Sequence, residues 1–307
     1  MSNPKLSLIT VAYNEEKTLG KMLISAQNFA DEIIVVVDNK SSDNTLNIAK
    51  KFTDQVYLQP HQENFHKLKQ FGIEKARGEW LLWMDADEVL TQEIKDEIKQ
   101  IINSSENKFN GFKCPRKNII FNKWIQHSGW YPDYQLRLFK NGSVHFPCKT
   151  VHEQPEVMGE IGKLTHPIVH YNYHSIFQFI DKLNRYTDID AEFRKNDLSG
   201  SYFSNLIHYP IDEFIKRYLK QKGYMDGLHG QSLAFLQAFY QLVVVLKIWE
   251  KNKFVEEKIE NPIDSTAKEI KYLKHSWIWW VWENKIKQQP QYKVFFKLIR
   301  KIKLFLK

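Results

Sequence analysis

The chain is poor in cysteine, with only Cys114 and Cys148 in 307 residues. Two thiols so placed make neither a disulfide framework nor a metal cluster, and they suit a reducing compartment. Long apolar runs are also missing. The stretch Leu233 to Leu246 is interrupted by Gln237 and Gln241 and followed by Lys247, short of the roughly 20 residues that span a bilayer. It reads as a buried or interfacial helix. The opening Met-Ser-Asn-Pro-Lys carries no leader pattern and runs straight into a strand-like segment, so a cytoplasmic location is expected. No Gly-x-Gly-x-x-Gly turn follows the first apolar run, where the chain has Ala-Tyr-Asn-Glu; this speaks against a nicotinamide-dependent oxidoreductase. A Gly-rich, Arg-containing phosphate loop is absent too, which speaks against a sugar nucleotidyltransferase.

Acidic residues are scarce in one region only. The net charge of +8 arises because residues 251–307 hold 14 Lys and Arg against 6 Asp and Glu, whereas residues 1–250 balance at 30 against 30. Such asymmetry points to a polyanionic surface met by the C-terminal end and not by the rest of the chain.

What is present centres on Trp80-Leu-Leu-Trp-Met-Asp-Ala-Asp-Glu-Val-Leu90. Its apolar run lacks the alternation of a half-exposed strand and reads as a strand covered on both faces. Asp85 and Asp87 then fall outside a strand's carboxyl end, where ligands gather in α/β sheets. In extended chain, side chains at i and i+2 point to one side. A carboxylate pair of this kind suits a hard divalent cation, Mg2+ or Mn2+, held mainly by a substrate's phosphates. Asp-x-Asp alone would equally suit the turn ahead of a helix starting at Thr91.

The flanking sequence supplies the context. Lys5 to Tyr13 reads as a strand, and Asn14-Glu15-Glu16 as the opening of a helix to about Asn28. Glu32-Ile-Ile-Val-Val-Val-Asp38 is another apolar strand ending in a carboxylate, and Ser41-Ser-Asp43-Asn-Thr45 can cap a helix to Phe52. Val56 to Leu58 is a short strand, and Phe65 to Ala76 a helix ended by Arg77-Gly78. This alternation implies a doubly wound, largely parallel sheet.

Thr10-Val-Ala-Tyr-Asn-Glu15, Asp38-Asn-Lys-Ser-Ser-Asp-Asn-Thr45, Gly78-Glu-Trp80 and Asp85-Ala-Asp87-Glu88, in that order, resemble the N-terminal half of a family 2 glycosyltransferase of the GT-A fold. Gly129-Trp-Tyr-Pro-Asp-Tyr-Gln-Leu-Arg-Leu-Phe139, Val151-His-Glu153 and His170-Tyr-Asn-Tyr173 are similar to the branch containing lipopolysaccharide core β-1,4-glucosyltransferases. The resemblance covers about residues 5–250. It implies an α/β GT-A mixed sheet over residues 1–170 and a helical acceptor-side extension over 171–250, while the charge and tryptophans of residues 251–307 mark a basic, Trp-rich membrane-surface region. The resemblance implies also an inverting, metal-assisted transfer of a hexose, glucose from UDP-glucose, to a lipid-linked or lipopolysaccharide-core hydroxyl.

The same resemblance assigns roles. Asp38 would contact a uracil base, with Val11, Tyr13 and Glu15 walling that pocket. Asp85 would meet the ribose or the metal's water shell, and Asp87 would bind the metal directly. Lys69 matches a cation near the base or diphosphate, although Gln70 departs from the Asn often found beside it. Asp133 matches the family's general base, its alternative being an ion pair with Arg137. His152 would complete the metal site or touch the diphosphate, imidazole being a plausible ligand beside carboxylates, its alternative being a loop histidine bonded to backbone, and His170 is a weaker candidate. A non-catalytic membrane-surface protein on the same scaffold would need none of Asp85, Asp87 and Asp133.

From Ser175 the pattern turns helical, with helices expected over Phe177 to Phe193, Ile211 to Lys222 and Ser232 to Trp249. Trp277, Trp279, Trp280 and Trp282 fit equally an aromatic core or a membrane interface. In the tail, a helix would place Phe295, Leu298, Ile299, Ile302, Phe305 and Leu306 on one face and Lys293, Lys297, Arg300, Lys301, Lys303 and Lys307 on the rest. An anionic membrane surface is the expected partner there, and nucleic acid is not, since large apolar side chains suit acyl chains better than phosphates.

Overall fold

Within the Trp80 run, alternate side chains enter two different cores: Trp80 and Leu82 one, Leu81 and Trp83 the other. That division runs through the sheet of the computed structural model, which describes residues 4–62, 64–148, 155–196, 198 and 200–305. The chain divides into two compact units, the first residues 1–119 and 131–172, the second residues 120–130 and 173–307.

In the first unit the order is β1 (Leu6–Ala12), α1 (Leu19–Ala26), β2 (Glu32–Asp38), α2 (Thr45–Ala49), β3 (Val56–Gln59), α3 (His66–Lys75), β4 (Trp80–Trp83), β5 (Glu88–Val89) and α4 (Gln92–Asn103). There follow β6 (Gly111–Ile120), β7 (Lys123–Trp124, within the segment that belongs to the second unit), β8 (Asp133–Lys140), β9 (Val144–His145), β10 (Glu156–Val157), β11 (Ile161–Lys163) and β12 (Ile168–Tyr173). The main sheet runs β3-β2-β1-β4-β8-β6-β12-β5. β2 and β4 flank β1 in parallel, and β8 is antiparallel to both β4 and β6. The sheet is therefore mixed.

Both faces are covered, which is why β1, β2 and β4 are continuous apolar runs. One core takes Leu6, Leu8, Val35 and Val37 with Met22 and Leu23 of α1 and Ile94, Ile98 and Ile102 of α4. The other takes Ile9, Val11, Ile34 and Val36 with Leu68 and Ile73 of α3. Gly72 lets α3 lie this close, because a Cβ there would stand 2.6 Å from an Ile9 methyl. Chain order reverses between β1 and β4, so a crevice forms outside their carboxyl ends.

The first helix starts later than the sequence predicts, at Leu19 and not at Asn14. Asn14 is left-handed, φ +54°, and the loop is clasped to the loop after β2. The Glu15 N–H donates to Thr45 Oγ1 (2.7 Å), the Glu16 N–H to Asp43 Oδ2 (3.0 Å) and the Ser42 N–H to Asn14 Oδ1 (2.9 Å). Backbone donors that would have opened a helix thus hold two loops together.

The second unit is helical: α5 (Ile176–Arg194), α6 (Tyr202–Ile215), α7 (Leu228–Lys251), α8 (Pro262–Gln288) and α9 (Lys293–Phe305). α6 begins nine residues before the predicted Ile211 and ends in a π-helical turn over Lys216–Lys220. α7 is longer than predicted, and its 24 residues are long and apolar enough, by length and composition only, to cross a membrane. Its faces divide, with Leu233, Ala234, Val244, Val245 and Ile248 buried while Leu228, Phe235, Phe239 and Leu246 are exposed.

Candidate functional site

The two carboxylates of the organising stretch do not sit on extended chain. β4 stops at Trp83, residues 86 and 87 form a turn, and the Glu88 N–H donates to the Asp85 carbonyl at 3.1 Å. The same-side argument for Asp85 and Asp87 therefore does not apply. Ala86 between them is buried, and the two side chains have different partners.

Asp85 belongs to a cation cluster. Arg137 Nη2 donates to Asp85 Oδ2 and, at 2.7 Å, to Glu88 Oε1. Lys69 Nζ lies 3.9 Å from Asp85 Oδ1 and 4.9 Å above the Trp83 ring, whose Nε1 donates to the same oxygen at 3.3 Å. Burial would raise the Asp85 carboxyl, but Arg137 and then Lys69 outweigh it and hold the group far below the usual carboxylate range. Burial pulls the Lys69 ammonium down, with Asp85 opposing. Glu88 is fully buried beneath this cluster. Gln70 is used structurally, its Oε1 accepting from the Phe146 N–H at 3.0 Å.

Asp133 pairs with Arg116, not with Arg137. Both Arg116 Nε (2.8 Å) and Nη2 donate to Asp133 Oδ2, Asn118 Nδ2 adds a longer bond at 3.3 Å, and Gln135 Nε2 donates to Oδ1 at 2.9 Å. Arg116 and Asp133 stand opposite each other in the β6–β8 ladder. Burial would raise the Asp133 carboxyl, yet Arg116 and these hydrogen bonds hold it below the usual carboxylate range. It is an anion with three donors on one oxygen and one on the other, so Oδ1 keeps an open acceptor position.

Asn118 also leads to Asp87. With its amide nitrogen on Asp133, its Oδ1 faces His170 Nδ1 at 2.7 Å and accepts from Asn172 Nδ2 at 3.4 Å. Nδ1 therefore carries the hydrogen, and His170 Nε2 faces Asp87 Oδ1 at 3.4 Å. Two bare acceptors at that separation repel unless a proton or a cation lies between them. The pair fits a divalent cation. Among the described residues no group of three His, Cys, Asp or Glu gathers as a metal site. His152 lies outside the described residues.

Of the nucleotide-pocket residues, Val11 is buried in the core and Tyr13 is exposed. Glu15 accepts from the Thr18 hydroxyl. Asp38 is fully buried and bonded to the Lys40 N–H and to His61. The structure thus joins Asp85, Lys69, Arg137, Glu88, Arg116, Asp133, Asn118, His170 and Asp87 in one chain of contacts. Sequence reasoning missed His61, Arg116 and Asn118. For Arg116 the one available signal was an opposite charge to pair with Asp133 across two strands.

The family model "Glycosyl transferase family 2" matches residues 7–153. An uncharacterized glycosyltransferase of Rickettsia typhi is 29% identical over 261 residues, covering 80% of this chain and 87% of its own. The lipopolysaccharide core biosynthesis glycosyltransferase LpsC of Rhizobium meliloti is 24% identical, over 80% of this chain and 93% of its own. Among solved structures, S. aureus TarS 1–349 in complex with UDP is 15% identical, with a TM-score of 0.42, covering 83% of this chain and 94% of that one.

Proposed function

Since the chain belongs to glycosyl transferase family 2, with residues 7–153 as its match, we propose that it moves a hexose with inversion from a UDP-sugar to a hydroxyl of a lipid-linked or lipopolysaccharide-core glycan. The observation that carries this reading is the division of labour in the site. One carboxylate, Asp87, is left to a histidine, and another, Asp133, is held ionised with one acceptor position open.

Asp87 and His170 would hold the divalent cation, with the donor's diphosphate and water supplying the other oxygens. When bound, that cation offsets the charge developing on the leaving diphosphate. Lys69, set over Trp83 and Phe146, places its amine beside Asp85. Asp133 Oδ1 orients the acceptor hydroxyl and takes its proton as the new bond forms, a contribution of about 10²- to 10⁴-fold. The likeness to LpsC supports a core-type acceptor, and the resemblance of the motifs to those of core glucosyltransferases supports glucose.

The location proposed is the cytoplasmic face of the cell membrane. α9 docks on α8 through the side bearing Phe296 and Arg300: Phe296 lies 5.7 Å from the Trp282 ring, and Arg300 bonds Glu283 at 2.8 Å and stacks 3.8 Å over Trp279. Val294, Phe295, Leu298, Ile302 and Phe305 are left exposed. An apolar face beside several lysines, turned away from its own protein, supports lying in an anionic headgroup layer.

A mass-spectrometric screen of nucleotide sugars, with manganese and lipid-linked glycans as acceptors, tests the reaction. A hexose mass gain from a UDP-sugar is expected. Transfer only from a different nucleotide class would overturn the donor, and no transfer from any nucleotide sugar would overturn the reaction.

A further inference from the structure

The carboxylate at the end of β2 is closed off from solvent, with a partner on each oxygen. The Asp38 side chain has no solvent exposure, its Oδ1 accepts the Lys40 N–H at 2.9 Å, and its Oδ2 is 2.8 Å from His61 Nδ1. What it holds at the surface is His61. That ring is about a third exposed (32%), its backbone N–H is pinned to Asn39 Oδ1 at 3.0 Å, and the exposed Tyr13 ring is tilted against it at 5.9 Å. Nε2 has no partner among the described residues.

A carboxylate only accepts hydrogen bonds, so in the neutral form of the His61 ring the hydrogen is on Nδ1 and Nε2 is a bare acceptor. Such an acceptor complements a base edge that offers an N–H and opposes one that offers a lone pair. Among pyrimidines, uracil has a hydrogen on N3 and cytosine has a lone pair there.

We infer that His61 is the specificity-determining residue for the donor's base, reading the N3–H of a uridine nucleotide through Nε2 while Asp38 fixes its tautomer. This rests on the proposed nucleotide-sugar reading and refines it. Asp38 acts through His61 and is a positioning residue.

The tautomer argument gives a test that a merely structural role would not pass. In Asp38→Asn the Lys40 N–H retains the side-chain oxygen, which turns the amide nitrogen toward His61 Nδ1. The histidine hydrogen must then sit on Nε2, and a donor replaces the acceptor. Calorimetric titration of UDP and CDP, each with manganese, should show the wild-type protein preferring UDP by about tenfold, the scale of one unmatched hydrogen bond. His61→Ala should bring the two affinities within about threefold, and Asp38→Asn should shift the preference toward CDP. If His61→Ala does not fold, judged by circular dichroism, Asp38→Asn decides alone. A UDP-to-CDP ratio unchanged in both folded variants would overturn the role of His61 and leave the donor reading standing. A wild-type protein that binds neither nucleotide would overturn the donor reading, and this inference with it.

Discussion

Arg137 shows how much one side chain carries. It is 5% exposed and its guanidinium touches both Asp85 and Glu88, so removing it takes the nearest cation from two carboxylates and leaves them only Lys69 at 3.9 Å and Arg116 at 3.8 Å, in a site where charge is costly to leave poorly paired. Arg137→Met should destabilise the protein by about 3–5 kcal/mol at pH 7, read by urea unfolding. The deficit should shrink toward pH 5, because carboxylates without their cation gain stability on taking up protons. An equal deficit at both pH values would mean the pair is not the source. In the wild-type protein the sign is opposite: Asp85 and Asp133 are depressed on folding, so their contribution is complete above the unfolded value near 4 and is lost as pH falls through the folded values. Asp133 also remains a base at mildly acid pH. Asp133→Asn should keep UDP affinity and lose at least about 10²-fold in turnover, whereas turnover within a few-fold of wild type would free it of that role. Glu88, fully buried against Arg137, is then a poor substitute.

Among the elements, α9 carries the sharpest expectation. Truncation after Gln289 should release the protein from anionic liposomes while UDP binding persists. The exposed face can be tested by itself, for Leu298→Asp with Ile302→Asp should abolish co-sedimentation without disturbing the Phe296 and Arg300 contacts on α8. Co-sedimentation equal to the full chain in both would remove the membrane role. The tail helix was readable because its apolar spacing is helical; its docking was not, since Phe296 stands outside that face and pairs with Trp282. The tryptophans likewise divide. Trp280 packs beside the Ile215, Leu219 and Leu273 core, while Trp277 and Trp279 are 41% and 45% exposed. In the first unit, β1, β2 and β4 were legible because both their faces are covered. β6 was not, because Pro115, Arg116 and Asn118 make it resemble a loop; the latter two turn toward the charge network, where polarity is required. The Asp-x-Asp pair was found for its position after β4, though the turn at residues 86 and 87 invalidates the geometry used to link its members.

For the whole molecule, the charge distribution matches two separate tasks. Residues 1–250 balance their charges, and in the first unit the site neutralises its acids internally, whereas the excess cations lie in residues 251–307. Donor binding should therefore respond little to loss of the tail, and membrane association little to changes in the site. At the centre is the claim that Asp87, with His170, holds a cation through which a UDP diphosphate is bound. Calorimetric titration of UDP into the full-length protein and into Asp87→Asn, each with manganese and with EDTA, tests it most directly. Expected is binding by the wild-type protein that needs manganese and is lost in Asp87→Asn, with the unfolding transition of the variant still cooperative; manganese-dependent binding of equal strength in both proteins would contradict it.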